Sequence, residues 1–200
     1  MKRILLLLAH PRLEDSQVNF QMIQSVKALE FLTIRDLYEL YPDFDIDISA
    51  EKELLLQHDV IIWHHPIYWY SCPPLMKQWI DLVLQYGWAY GKGGEALKDK
   101  LIFNAVSAGG SKEVYQHNGR NRFTINEFLR PFEQTALLCK MIYLPPFVVH
   151  QSNIADAKYC SSFGEEYARL LKELSEGKQH HEALLQRSYL NIHQYEKAEL

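Results

Sequence analysis

Residues 59–85 read DVIIWHHPIYWYSCPPLMKQWIDLVLQ. The apolar run from Asp59 to His65 has strand character, and the segment from Pro74 to Gln85 is amphipathic with helical spacing. Between them lie Pro66, the three rings Tyr68, Trp69 and Tyr70, and the pair Pro73-Pro74. A strand, a stiff loop and a helix in that order form half of a βαβ unit, which predicts a parallel sheet. The rings are unusual for such a loop, where Gly, Ser and Asp are commoner. Core packing is the default for large aromatics. Their place beyond the end of a strand, with prolines fixing φ on both sides, favours a wall for something flat.

The same alternation extends in both directions. Strands are predicted at Lys2–Ala9, Leu32–Leu37, Asp59–His65, Lys100–Ser107 and Met141–Val149, the last interrupted at Pro145-Pro146. Helices are predicted at Ser16–Glu30, Glu51–Gln57, Pro74–Gln85, Ile125–Cys139 and Asp156–Leu174, and Pro131 requires the fourth of these to start near it or kink. Five strands interleaved with helices predict an α/β three-layer sandwich, a parallel sheet covered on both faces. The commonest order, 2-1-3-4-5, reverses its winding between strands 1 and 3, and ligands bind beyond the carboxyl ends of the strands there. The loops to inspect follow Ala9, His65 and Ser107. A polar tail with a weak apolar stripe, 177–200, is expected to be helical in part.

Composition narrows the function classes. A chain of 200 residues, 48% hydrophobic, can bury the core of one domain. The formal charge of -4 is scattered and offers no basic stripe, which argues against nucleic acid. The apolar start at Met1–Ala9 runs into His10-Pro11-Arg12 rather than a cleavage site and reads as a buried strand, and no run approaches the ~20 residues of a membrane span. A soluble cytoplasmic protein is expected. Cys72, Cys139 and Cys160 form no C-x-x-C pair, and His64 and His65, adjacent on a strand, point to opposite faces and cannot share a metal ion.

The first loop, His10 to Asn19, delivers Ser16 as a helix N-cap with Asn19 in the first turn; hydroxyl, amide and backbone donors there make a phosphate cradle, although a plain cap explains Ser16 as well. Neither G-x-G-x-x-G nor a Walker lysine motif occurs, so a Rossmann dinucleotide pocket is not supported. The second loop would hold a flat ring. Ser71 or Cys72 as a nucleophile finds no G-x-S-x-G around it. In the third loop, Ser107-Ala108-Gly109-Gly110, paired glycines permit φ > 0 and close backbone approach, or simply a turn. Tyr115, His117 and Arg120 follow and could return to the site. The Gly-rich stretch Gly87–Gly94 reads as too flexible for core, a lid or a partner-facing edge.

Together these loops resemble the flavodoxin-like NAD(P)H:quinone oxidoreductases related to DT-diaphorase, most closely the bacterial ancillary proteins of glutathione-gated potassium efflux systems. The resemblance spans about residues 1–176. It is carried by A9-H10-P11 with S16-x-x-N19, by H65-P66-I67-Y68-W69-Y70-S71-C72-P73-P74-L75-M76-K77-x-W79, by G87 to G94, by S107 to G110 and by L144-P145-P146-F147. It implies FMN, with FAD as the longer alternative, bound in a homodimer with active sites at the subunit interface. The implied chemistry is ping-pong, with hydride passing from NAD(P)H to flavin N5 and then an electron pair to a quinone; azo dyes and nitroaromatics are further acceptors.

Carried over by position, the resemblance puts His10, Ser16, Gln17, Val18 and Asn19 at the flavin's phosphate side. Pro66, Ile67, Tyr68, Trp69 and Tyr70 would run along the ring, with Ser107, Ala108, Gly109, Gly110 and Tyr115 at its edge. Trp69, Tyr115 and His117 are the expected catalytic residues. The relatives' Thr-Thr pair is Ser107-Ala108 in this chain, and Arg120-Asn121 stands near their histidine, with His117 out of register. The prolines are expected to hold the loop with its N–H groups outward, and His64, His65 and Cys72 to be bystanders. A second reading is a regulatory subunit, peripheral to the inner face of the cell membrane, that partners a potassium efflux antiporter and keeps flavin as a structural element.

Overall fold

The computed structural model describes residues 1–191. Strand β1 (Ile4–Leu8) is followed by α1 (Gln17–Val26), β2 (Leu32–Asp36), a single helical turn α2 (Leu37–Leu40), α3 (Ile48–Gln57) and β3 (Val60–Pro66). Then come α4 (Pro74–Val83), β4 (Leu101–Ser107), α5 (Ile125–Phe128), α6 (Arg130–Leu138), β5 (Ile142–Tyr143), β6 (Phe147–Val149), α7 (Ala157–Glu176) and α8 (His181–Leu185). The sheet is parallel throughout, in the order β2-β1-β3-β4-β5. β6 also pairs with β4, so β5 and β6 are two pieces of one edge strand, divided at Leu144-Pro145-Pro146 where proline has no N–H for the ladder.

Every residue of β1, β3 and β4 is buried, because helices cover both faces of the sheet. One face packs Leu5, Leu7, Ile61, Trp63 and Ile102 against α3, α4 and α6. The other packs Ile4, Leu6, Ile62 and Phe103 against α1 and α7. A buried carboxylate pins the first face: Glu51 of α3 accepts from Arg35, from the Tyr41 hydroxyl at 2.7 Å and from the Trp79 indole N–H at 2.9 Å. That arrangement fixes α4 and hence the loop leading into it.

Several boundaries differ from the sequence reading, each for a local reason. The predicted helix Ile125–Cys139 is two helices with Leu129 between them, since Pro131 supplies no N–H and its ring crowds the preceding turn. The first helix stops at Val26, and Leu29 and Phe31 turn inward to pack beneath it. Gly87–Gly94 is a folded turn and no loose lid: Ala89 is fully buried, Trp88 packs on the core, and the Lys52 ammonium sits 4.9 Å from the Trp88 ring centroid. Beyond α7, Leu184 and Leu190 are buried, and Asn191 pairs with both the N–H and the C=O of Val148, each at 2.9 Å. That side chain satisfies part of the sheet edge at β6. Residues 192–200 of the expected tail lie outside the described residues.

Candidate functional site

The loops after β1, β3 and β4 converge at the switch point and open into a crevice of about 720 Å³. Its wall includes His10, Arg12, Ser16, Gln17, Tyr68 and Ser107. It is completed by the loop Ser152–Asp156 after β6, which the sequence reading did not include. Two signals could have found that loop: it leaves the carboxyl end of a strand, and its last residue, Asp156, caps α7 by accepting from the Tyr159 N–H at 2.7 Å.

On the first side, Ser16 caps α1, its hydroxyl oxygen accepting from the Asn19 backbone N–H at 3.3 Å. Gln17 and Val18 present backbone N–H groups with no protein acceptor among the described residues, while the Val18 side chain belongs to the core. His10 is buried and lowered in pKa by desolvation; its Nδ1 accepts from the Arg12 N–H at 3.3 Å, and its ring meets Tyr68 edge-on. The Asn19 side chain, 1% exposed, does not face the crevice directly. Its Nδ2 donates to Ser16 Oγ at 2.8 Å and to Ser107 Oγ at 2.9 Å, and its Oδ1 lies 3.0 Å from His64 Nε2. His64 therefore lies directly behind the cradle and is no bystander.

On the second side, the Tyr68 N–H donates to Ser71 O and the Ser71 N–H to Tyr68 O, closing a two-residue turn with Trp69 and Tyr70 at its tip. Both tip residues have positive φ, +48° and +64°. Glycine or asparagine is usual there, and bulky side chains pay steric strain, a pattern that concentrates at functional sites. Trp69 is 94% exposed, while Tyr70 stacks on Phe128 with centroids 5.0 Å apart. The expectation that the loop's N–H groups all point outward is corrected. Ile67 donates to Ser107 O at 2.8 Å, Tyr68 and Ser71 satisfy each other, and only the Trp69 and Tyr70 N–H groups between them lack a protein acceptor among the described residues.

His65 supports this loop from beneath and is no bystander either. Its Nδ1 lies 2.9 Å from Pro66 O, its Nε2 is 2.9 Å from Asn104 Nδ2, and its ring stacks on Phe132. Burial lowers the pKa of His64 to about 3 and of His65 to about 4, so both rings are neutral at pH 7. Cys72 packs against the core and burial raises its thiol pKa, which leaves it a poor nucleophile.

On the third side, Gly109 and Gly110 do not have positive φ. A Cβ at Gly109 would sit 2.5 Å from the end of the exposed Asn153 side chain, which would have to swing aside. Ala108 is buried and its N–H donates to Val149 O. Tyr115 packs beside Gly110, off the lining of the crevice: it is buried, its hydroxyl is raised in pKa by desolvation, and the Gly110 backbone and the Arg120 charge pull the other way. His117 is mostly exposed and faces Glu127 at 3.8 Å, away from this group. The histidine beside Tyr115 is His150, 5.7 Å between ring centroids and held neutral by burial with a pKa of about 4.

A doubly wound parallel sheet whose switch-point crevice is lined by a capped helix start, hydroxyl donors and an aromatic turn defines the flavodoxin-like class. Residues 2–172 match the family described by a flavodoxin-like fold, and the chain belongs to that family. It is 43% identical over 171 residues to general stress protein 14 of Bacillus subtilis (strain 168), covering 86% of this chain and 98% of that protein. Among solved structures, general stress protein 14 of Treponema denticola in complex with FMN is 39% identical with a TM-score of 0.78, covering 88% of this chain and 99% of that one. A protein described as an NADPH-quinone reductase from P. pentosaceus is 32% identical with a TM-score of 0.77, covering 86% and 97%. A chain described as a thermophilic tryptophan halogenase from Streptomycin violaceusniger is 43% identical with a TM-score of 0.79, covering 82% and 95%. Among the described residues, no helix is long and apolar enough to cross a membrane, and no group of His, Cys, Asp or Glu could hold a metal ion.

Proposed function

We propose that the crevice holds FMN and that the protein is an NAD(P)H:quinone oxidoreductase. The observation that carries this reading is that Ser16, Gln17 and Ser107 line one crevice together with Tyr68, the residue that leads into the strained Trp69-Tyr70 turn. The first group suits a phosphate, the second a flat ring, and the FMN-bound relative at 39% identity supports the same ligand. FAD would need further room for its adenosine half. Bound FMN supplies two-electron hydride chemistry between a nicotinamide and a quinone.

The chain's own residues bind, orient and polarise. Gln17 and Val18 offer backbone donors to the phosphate, with Arg12 at the rim as the nearby cation, 3.3 Å from the Asp15 carboxylate that lines the same crevice. The N–H groups of Trp69 and Tyr70 are the loop donors left for the ring edge, and Trp69 walls the slot where nicotinamide and quinone alternate. Tyr115, with its raised pKa, holds its proton at pH 7 and serves as a donor near the Gly109-Gly110 edge. Exposed Trp69 stands next to Tyr70, which packs with Phe123 on Phe128, and this is the patch that a second copy of the chain would cover in the homodimer. Light scattering should give the dimer mass, and a monomer would remove that element.

Purified protein supplied with FMN should oxidise NADPH in the presence of a soluble quinone. A protein that stays inactive after added FMN would overturn the enzymatic reading. Partnership with a potassium efflux antiporter is tested separately by co-purification at low salt, and no binding there would remove the regulatory role.

A further inference from the structure

The buried chain behind the cradle has a definite donor direction. Tyr167 of α7, fully buried, places its hydroxyl 3.3 Å from His64 Nδ1; His64 Nε2 is 3.0 Å from Asn19 Oδ1; Asn19 Nδ2 reaches Ser16 Oγ and Ser107 Oγ. An amide oxygen only accepts, so His64 carries its proton on Nε2. Its bare Nδ1 then accepts from the Tyr167 O–H. Rotating the Asn19 amide would reverse every bond. The reversed chain makes His64 donate to the Tyr167 oxygen and leaves the Tyr167 proton with no acceptor among the described residues, inside packing formed by Phe147 and α7. A buried polar hydrogen without a partner is strongly disfavoured, so Tyr167 sets the direction.

That direction decides what the crevice offers. In the observed sense both serine oxygens accept from Asn19, and Ser16 Oγ also accepts from the Asn19 backbone N–H. Their own protons are then free to donate into the crevice that both residues line. In the reversed sense both serine protons would be consumed by Asn19 Oδ1, and the same two hydroxyls would present lone pairs to the ligand.

We infer that Tyr167 and His64 are positioning residues that act through Asn19 to preset the hydroxyls of Ser16 and Ser107 as donors, tuning the crevice for an anionic phosphate. The inference rests on the FMN reading for its ligand and on the protein alone for its direction. Nitrogen-15 NMR of labelled, ligand-free protein should show His64 protonated at Nε2 and bare at Nδ1; the opposite tautomer would overturn the inference. Tyr167→Phe leaves His64 Nδ1 without a partner, which narrows the preference for the observed direction from an orphaned hydroxyl proton against none to an orphaned Nδ1–H against a bare lone pair. It should raise the Nδ1–H fraction of His64 above its wild-type level and weaken FMN by about two- to threefold, a fraction of one charge-assisted hydrogen bond, with riboflavin affinity unchanged. Equal losses for FMN and riboflavin, or no loss for either, would overturn it. If wild-type protein binds neither flavin, the FMN reading fails and the phosphate half of the inference falls with it, while the NMR result still decides the direction.

Discussion

His64 and His65 are neighbours on β3, equally buried and equally neutral, yet they support opposite halves of the crevice with opposite tautomers. His64 faces α1 and α7 with its proton on Nε2, and its work reaches the serine cradle through Asn19. His65 faces α6. Asn104 Nδ2 donates to its Nε2, so its proton is on Nδ1 and goes to the Pro66 carbonyl. Asn104 in turn accepts from the Tyr143 hydroxyl at 2.7 Å. Strand alternation makes this division possible, because consecutive side chains lie on opposite faces. One residue type at two adjacent positions thus polarises hydroxyls on one side and fixes a loop carbonyl on the other, with no charge in either place.

The larger effect is expected on the His65 side. His65→Ala removes a ring stacked on Phe132 and leaves Asn104 unsatisfied in the core, and should cost about 3 to 5 kcal/mol of unfolding free energy in a urea titration. A loss below about 1 kcal/mol would mean that the loop does not depend on this ring.

Acid affects both sides at once. Each histidine is neutral in the fold, with pKa near 3 and near 4, whereas in the unfolded chain both titrate near 6.5. The unfolded chain therefore takes up protons first as the pH falls. The stabilisation is complete above pH 6.5 and is lost below it, by about 2 kcal/mol per histidine at pH 5. Unfolding free energies at pH 7.5 and 5.0 measure this, and His65→Asn should shrink the drop by about 2 kcal/mol, with His64, His150 and the other desolvated histidines supplying the rest. A flat profile would contradict the neutral buried pair.

The smallest expected effect lies on the loop that His65 supports. Trp69→Gly relieves a left-handed backbone at a side chain that is 94% exposed, and should raise stability by about 1 kcal/mol while impairing quinone turnover. Trp69→Ala should impair turnover with stability within about 0.5 kcal/mol of wild type. A collapse of stability in either variant would show that the ring serves as core.

The sheet was legible in the sequence because its central strands are continuous apolar runs, and helix starts announced themselves through Ser16 and Asp156. The turn at Leu37–Leu40 was not, since four residues carry no period and only the Asp36 cap marks it. The crevice was legible as far as strand ends and paired prolines could show. Its buried support was not. His64 and His65 look alike in sequence, and their partners Asn19, Tyr167 and Asn104 come from elements up to 103 residues away. The usable signal was that two polar rings end an otherwise apolar buried strand and must find partners there. Of the options open for the paired glycines, positive φ is not used at either, and the nearness of Gly109 to the Asn153 side chain is a contact that only the fold reveals.

Whether these two histidine-backed walls hold FMN is read from the visible absorption spectrum of the purified protein supplied with flavin and freed of excess, followed by release and identification of what remains bound. A yellow protein that releases FMN in a one-to-one ratio with the chain is expected; a colourless protein that retains no flavin would rule out FMN in this crevice.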